Sequence, residues 1–132
     1  MSEAKPGTRP LSPFMIGPYY RPQLTSISSI LVRITGIITF GTAFLLVAWL
    51  FAAASSDSAF AVIDGALQSV LGMFVLSVAL WAAFYHMLGR LRHVIWDFGH
   101  ALNVAASERM AIGMFAGATA LTIITLGVVA LV

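Results

Sequence analysis

The 132-residue sequence contains no cysteine, which excludes disulfides, thiolate-held clusters and thiol catalysis and leaves histidine and carboxylate to hold any metal. Charge is also scarce: 9% of residues are charged, against about 25% in a soluble domain. The net charge of +2 arises from a few scattered cations. No basic run or interleaved aromatic series is available to track a phosphate backbone, so nucleic acid is not an expected partner. The five prolines lie between Pro6 and Pro22 and mark a polar amino-terminal segment, residues 1–28, ahead of the apolar bulk. That segment lacks the early apolar run of a secretory signal. It contains Glu3 and is neither Ser-rich nor amphipathic like an organellar presequence. The expected location is therefore a bacterial inner membrane.

What the chain has in abundance is apolar surface. Hydrophobic residues make up 60% of it and the mean hydropathy is +0.96, more than a single domain of this length can bury in a private core. Spanning a hydrocarbon layer of ~30 Å takes roughly twenty apolar residues at ~1.5 Å of helical rise each. Ile34 to Ser56, Gly65 to Gly89 and Met110 to Val132 each run that far without a charge. These predict an all-α, three-helix transmembrane bundle over residues 29–132, with spans near 30–54, 66–93 and 109–132. Lys5, Arg9, Arg21 and Arg33 precede or open the first span, and Arg90, Arg92 and Arg109 surround the second connection, whereas the first connection holds only Asp57 and Asp64. By the positive-inside rule the amino terminus faces the cytoplasm and the carboxyl terminus the periplasm. Gly113 and Gly117 have small-xxx-small spacing, read here as ordinary bundle packing.

Ionisable groups near the bilayer interior need a reason to be there. Arg33 lies about one turn into the first span, where it can snorkel to the headgroups. Ser29, Arg33 and Gly36 also share one helical face, presenting a hydroxyl, a fixed cation and a gap, which suits the carbonyl oxygens of a quinone. His86, with Ala79, Ala82 and Ala83 on its own face, leaves room for a flat macrocycle whose iron it would ligate; a histidine bonded to a neighbouring helix is the plainer reading. His93 lies seven residues on, ~10.5 Å along the axis, too far to share that iron. With Arg92 it is placed to reach carboxylates such as haem propionates. Asp97 suits either an ion pair with Arg33 or a proton path to a reduced quinone.

The order Arg9-Pro10-Leu11-Ser12-Pro13, then Ser29-x-x-Val32-Arg33-Ile34-Thr35-Gly36, then His86 followed by Leu91-Arg92-His93-Val94-Ile95-Trp96-Asp97-Phe98-Gly99 resembles the cytochrome b membrane-anchor subunits of succinate dehydrogenase. The resemblance implies that Ser29 and Arg33 line a ubiquinone site with Asp97 nearby. It also implies that His86 is an axial ligand of haem b, with His93 and Arg33 near the propionates. A second anchor subunit would supply the other ligand, and succinate would be oxidised on flavoprotein and iron–sulfur partners. The family usually has histidine or glutamine where this chain has Val32, and a small residue where it has Arg90. Two readings from other classes stand beside this one: a small transporter or channel subunit with Arg33, His86 and Asp97 along a polar path, and a purely structural assembly subunit.

Overall fold

The computed structural model describes residues 21–131. The motif Arg9 to Pro13, the cations Lys5 and Arg9 and the terminal Val132 lie outside them. The order is α1 (Leu24–Ser55), α2 (Asp57–Gln68), α3 (Val70–Asp97) and α4 (Val104–Leu131). Three of these, α1, α3 and α4, are long and apolar enough to cross a membrane, so the chain is a multi-pass, all-α membrane protein. At ~1.5 Å per residue the spans measure roughly 42–48 Å, so each extends past the hydrocarbon into the headgroups.

The connections explain the order. Ser56 ends α1 by donating its backbone N–H to the Ala52 carbonyl and starts α2 by accepting from the Ala59 N–H through its side chain, with Asp57 adding a favourable charge in the first turn. Ser69 does the same between α2 and α3, its hydroxyl accepting from the Gly72 N–H at 3.1 Å. Gly72 has to be glycine here, because a Cβ would run into the carbonyls of Ala66 and Leu67. The uncharged run from Gly65 is thereby divided: residues 65–68 close α2, and the long helix starts at Val70. Trp49 of α1 donates to the Asp64 carboxylate at 3.1 Å, which ties α2 back to the first span, and Gln68 holds the same carboxylate from within α2 at 2.5 Å. At the other end of α3, Gly99 takes a left-handed φ of 76°. The backbone N–H groups of Gly99 and His100 close on the carbonyls of Trp96 and Ile95, a glycine-dependent helix stop. Asn103 caps α4 through the Ala106 N–H at 2.8 Å.

The helix α3 is central, with α1 on one side and α4 on the other. The core is small: Val32, Tyr85, Met114 and Ala118, flanked by Leu31, Trp81, Phe84, Leu88 and Phe115. Trp81 stacks on Tyr85 at 5.0 Å, and its indole N–H donates to the Thr119 hydroxyl of α4. Close packing depends on glycine twice. The Val32 side chain occupies the space a Cβ at Gly89 would need. Gly117 faces Leu88, and a Cβ there would lie 3.0 Å from Leu88 Cδ1, so this half of the glycine pair packs within the bundle. Gly113 lines an open groove of about 220 Å³ between α3 and α4. Large apolar side chains such as Ile37, Phe40, Phe51 and Val129 are exposed and meet lipid or partner helices.

Candidate functional site

The polar residues of the spans gather where the amino-terminal half of α1 faces the carboxyl-terminal half of α3. Ser28, Val32 and Thr35 form the buried stripe of α1, spaced four and three apart as one helical face requires. Ala79, Ala82, Tyr85, Gly89 and Arg92 form the buried stripe of α3. Because the helices are antiparallel, climbing one stripe means descending the other.

His86 sits at the edge of this seam, half-buried. Its Nδ1 lies 2.9 Å from the backbone carbonyl of Val32. A carbonyl can only accept, so Nδ1 carries the hydrogen, and in the neutral ring Nε2 keeps its lone pair. Metal-bound histidines are arranged in this way, with the second nitrogen donating to a carbonyl that fixes tautomer and ring plane. The ring is close because residue 36 is glycine: a Cβ there would stand 2.8 Å from Cε1 and 3.0 Å from Nδ1. Gly36→Ala should destabilise the protein by about 1–3 kcal/mol, the usual range for overpacking. Gly41→Ala, where nothing lies within 4 Å of the added carbon, should not. Thermal unfolding in detergent compares the two, and equal midpoints would remove the steric argument.

From His86 toward the α2 end, the α1–α3 seam opens into an almost wholly apolar cavity of about 360 Å³, lined by Thr39, Ala43, Leu46, Ala79 and Ala83 among others. Of the three alanines singled out in the sequence, the buried Ala79 and the half-buried Ala83 line this cavity, and Ala82 is buried away from it. The seam has one half-buried imidazole with a free nitrogen, and the cavity begins about one turn further along α3, at Ala83, where leucines and Trp49 wall it together with the alanines. This donor set fits a planar metal macrocycle held by one residue of this chain. A metal site of several protein ligands is not built here, since among the described residues no group of three or more histidines and carboxylates converges.

The other site residues lie toward the membrane surface. Ser29 is half-buried and Arg33 exposed on α1, while Asp97 is exposed at the end of α3. Among the described residues neither Arg33 nor Asp97 has an ion-pair partner, so the pairing of these two that the sequence left open is not formed. His93, half-buried, donates Nδ1–H to the Gly89 carbonyl of its own helix at 2.8 Å and lies edge-on to Trp96 at 5.3 Å.

Arg92 is placed differently from its neighbours. It is 2% exposed and turned into the bundle, where Nη1 donates to the Ser28 hydroxyl at 2.8 Å. Ser28 Oγ in turn donates to the Thr25 carbonyl, and the guanidinium lies 4.6 Å over the Trp96 ring, a cation–π contact. Sequence reasoning passed over Ser28. The available signal was its place four and seven residues before Val32 and Thr35, on the face that turns inward.

Comparison with known proteins gives a consistent answer. The profile of the succinate dehydrogenase/fumarate reductase transmembrane subunit family matches residues 5–125. The succinate dehydrogenase cytochrome b556 subunit of Paracoccus denitrificans is 37% identical over 126 residues, covering 96% of this chain and 95% of its own length. The cytochrome b556 subunit of Rickettsia bellii is 33% identical over 98 residues, 74% of each chain. The cytochrome b560 subunit of Chondrus crispus is 35% identical over 107 residues, 76% of this chain and 80% of its own.

Proposed function

Since the chain belongs to the succinate dehydrogenase/fumarate reductase transmembrane subunit family, we propose that it is the anchor that carries haem b and forms one wall of the ubiquinone-reducing site in a succinate dehydrogenase. The observation that carries this reading is His86, with Nδ1 fixed on the Val32 carbonyl, Gly36 beneath the ring and Nε2 open. In this reading His86 holds the haem iron. A second anchor subunit would give the iron's other ligand, since His93 lies about two turns from His86. His93, at the surface end of the same face, and Arg33 serve the propionates. Bound haem would supply a one-electron store; orientation and electrostatics come from the protein.

Ser29 and Arg33 act on the quinone. The hydroxyl donates a hydrogen bond to one quinone oxygen. The guanidinium, a fixed cation in a medium of low dielectric, favours the form in which that oxygen gains negative charge. Asp97, exposed beyond the end of α3, takes protons from water and passes them toward the reduced oxygens. Succinate chemistry belongs to the flavoprotein, and electrons arrive through the iron–sulfur subunit docked on the same face. The cationic clustering described above supports an orientation in a bacterial inner membrane with that face and the amino terminus toward the cytoplasm and the carboxyl terminus toward the periplasm.

The test is made on the detergent-purified complex. Succinate should reduce a b-type chromophore in the wild type. Ser29→Ala should lower kcat/KM for ubiquinone roughly tenfold, about the worth of one hydrogen bond to a developing anion, while succinate-to-dye activity stays intact. A wild-type complex with no haem absorbance would end the cytochrome reading in favour of a haem-free anchor or a transporter. Unimpaired quinone reduction in Ser29→Ala would remove that residue from the site.

A further inference from the structure

A cation buried in a span is expensive, and Arg92 is buried with few compensations. Its guanidinium makes one side-chain hydrogen bond, to Ser28, and one ring contact, to Trp96. Nε and Nη2 have no hydrogen-bond partner among the described residues, nor does the nearby buried Tyr85 hydroxyl. An apolar side chain of similar volume would sit there at lower cost. Stability alone therefore gives a poor account of the arginine.

The geometry gives a better one. Ser28 meets Arg92 and Val32 meets His86, so a step of four residues along α1 corresponds to a step of six in the opposite sense along α3. These two polar contacts fix one axial setting between the helices. Val32 seated over Gly89 favours the same setting, but apolar burial is largely non-directional, and beyond that contact the alanines at 79, 82 and 83 offer few projecting side chains to resist a shift. A hydrogen bond from a charged donor to a side chain itself anchored on Thr25 is directional and is lost on a shift of one residue, ~1.5 Å.

We propose that Arg92 and Ser28 form a register pin. Arg92 is a positioning residue that holds α3 at the setting where His86 reaches the Val32 carbonyl over Gly36, and where Ser29, the residue next to the pin, is presented correctly at the surface. It does not touch the haem or the quinone. The pin deepens the haem and quinone reading, since its effect is measured on those groups. Misplacement of reacting groups by about 1 Å can cost up to 10²-fold in rate, so the pin should be visible in kinetics.

The experiment is a double-mutant cycle with Ser28→Ala, Arg92→Met and the pair, in the whole purified complex. Arg92→Met keeps an unbranched apolar body in place, so the cycle is not a test of folding alone. Each single variant should raise the ubiquinone KM roughly threefold to tenfold and shift the haem midpoint potential, and the double variant should be no worse than the worse single. If Ser28→Ala matches the wild type while Arg92→Met lowers the haem potential, Arg92 acts on the propionates directly and the pin is overturned. Additive effects in the double variant overturn it as well. Thermal unfolding involves neither haem nor quinone: coupling there with unchanged KM and potential would reduce the pair to a packing contact and end the positioning role. Failure of the haem reading itself would show separately, as a wild-type complex without b-type absorbance.

Discussion

Replacing His86 with alanine should abolish the sharp reduced-haem absorbance of the complex, whether the macrocycle departs or stays on the partner's ligand alone. Among the described residues no other histidine is placed to take over, His100 lying beyond the end of α3. His93 lies ~10.5 Å further along the helix axis and is bonded to the Gly89 carbonyl, which orients its ring within its own turn. Among the described residues no other histidine and carboxylate group converges to hold iron. Even partners that only orient a metal-bound histidine are worth 10–100-fold in affinity, so loss of the ligand itself should reduce correctly ligated haem by at least about that factor. The measurement is haem per flavin, together with the reduced-minus-oxidised spectrum of mutant and wild type. An unchanged spectrum in the mutant would move the ligand to another chain altogether.

The second large effect is expected at Arg33. As a snorkelling side chain it would contribute only to anchoring, and Arg33→Ala would leave quinone kinetics intact. As the cation facing a quinone oxygen, it supplies a charge-assisted interaction of about 1.5–3 kcal/mol, and its removal should lower kcat/KM for ubiquinone by roughly 10–100-fold. Arg33→Lys should recover part of this, since the charge survives and the planar fork does not. Succinate-to-dye turnover, which bypasses the membrane site, is the control. Its loss along with quinone activity would point to failed assembly, which flavin content of the purified membrane fraction decides. The exposure of Arg33 and its lack of an ion-pair partner among the described residues leave the guanidinium available for an external oxygen.

The spans were legible because hydropathy is a local property: three uncharged runs of sufficient length became α1, α3 and α4. The short α2 was not foreseen. Its twelve residues mix Asp57 and Asp64 with apolar side chains, and in a hydropathy window they read as a linker followed by the start of the next span. The caps supplied by Ser56 and Ser69 are what separate it.

At the site, the periodic reasoning grouped Ser29, Arg33 and Gly36 on one face and His86 with small alanines on another. It did not show that Gly36 lies under His86, because the pairing of two helices is set by packing between residues fifty apart. Val32 shows the same limit. Its side chain, a departure from the polar residue usual in the family, packs against Gly89 in the core. Its contribution to the site is the backbone carbonyl, which any residue would provide. Arg92 was read outward toward propionates because it neighbours His93. One residue of helical rotation, about 100°, puts it on the inward face instead.

The one-residue joints around α2 carry a mechanical consequence. With Ser56 shared by α1 and α2 and Ser69 by α2 and α3, there is no slack at that end, and the Trp49 and Gln68 bonds to Asp64 stiffen the bracket further. At the opposite end Ser28 and Arg92 close the frame. In a bilayer thinner or thicker than these spans prefer, helices ordinarily adjust by tilting one by one. Here the joints and the cross-helix bonds couple the tilt of α1 to that of α3, while α4 is joined through the longer turn at Gly99 and follows α3 through side-chain packing.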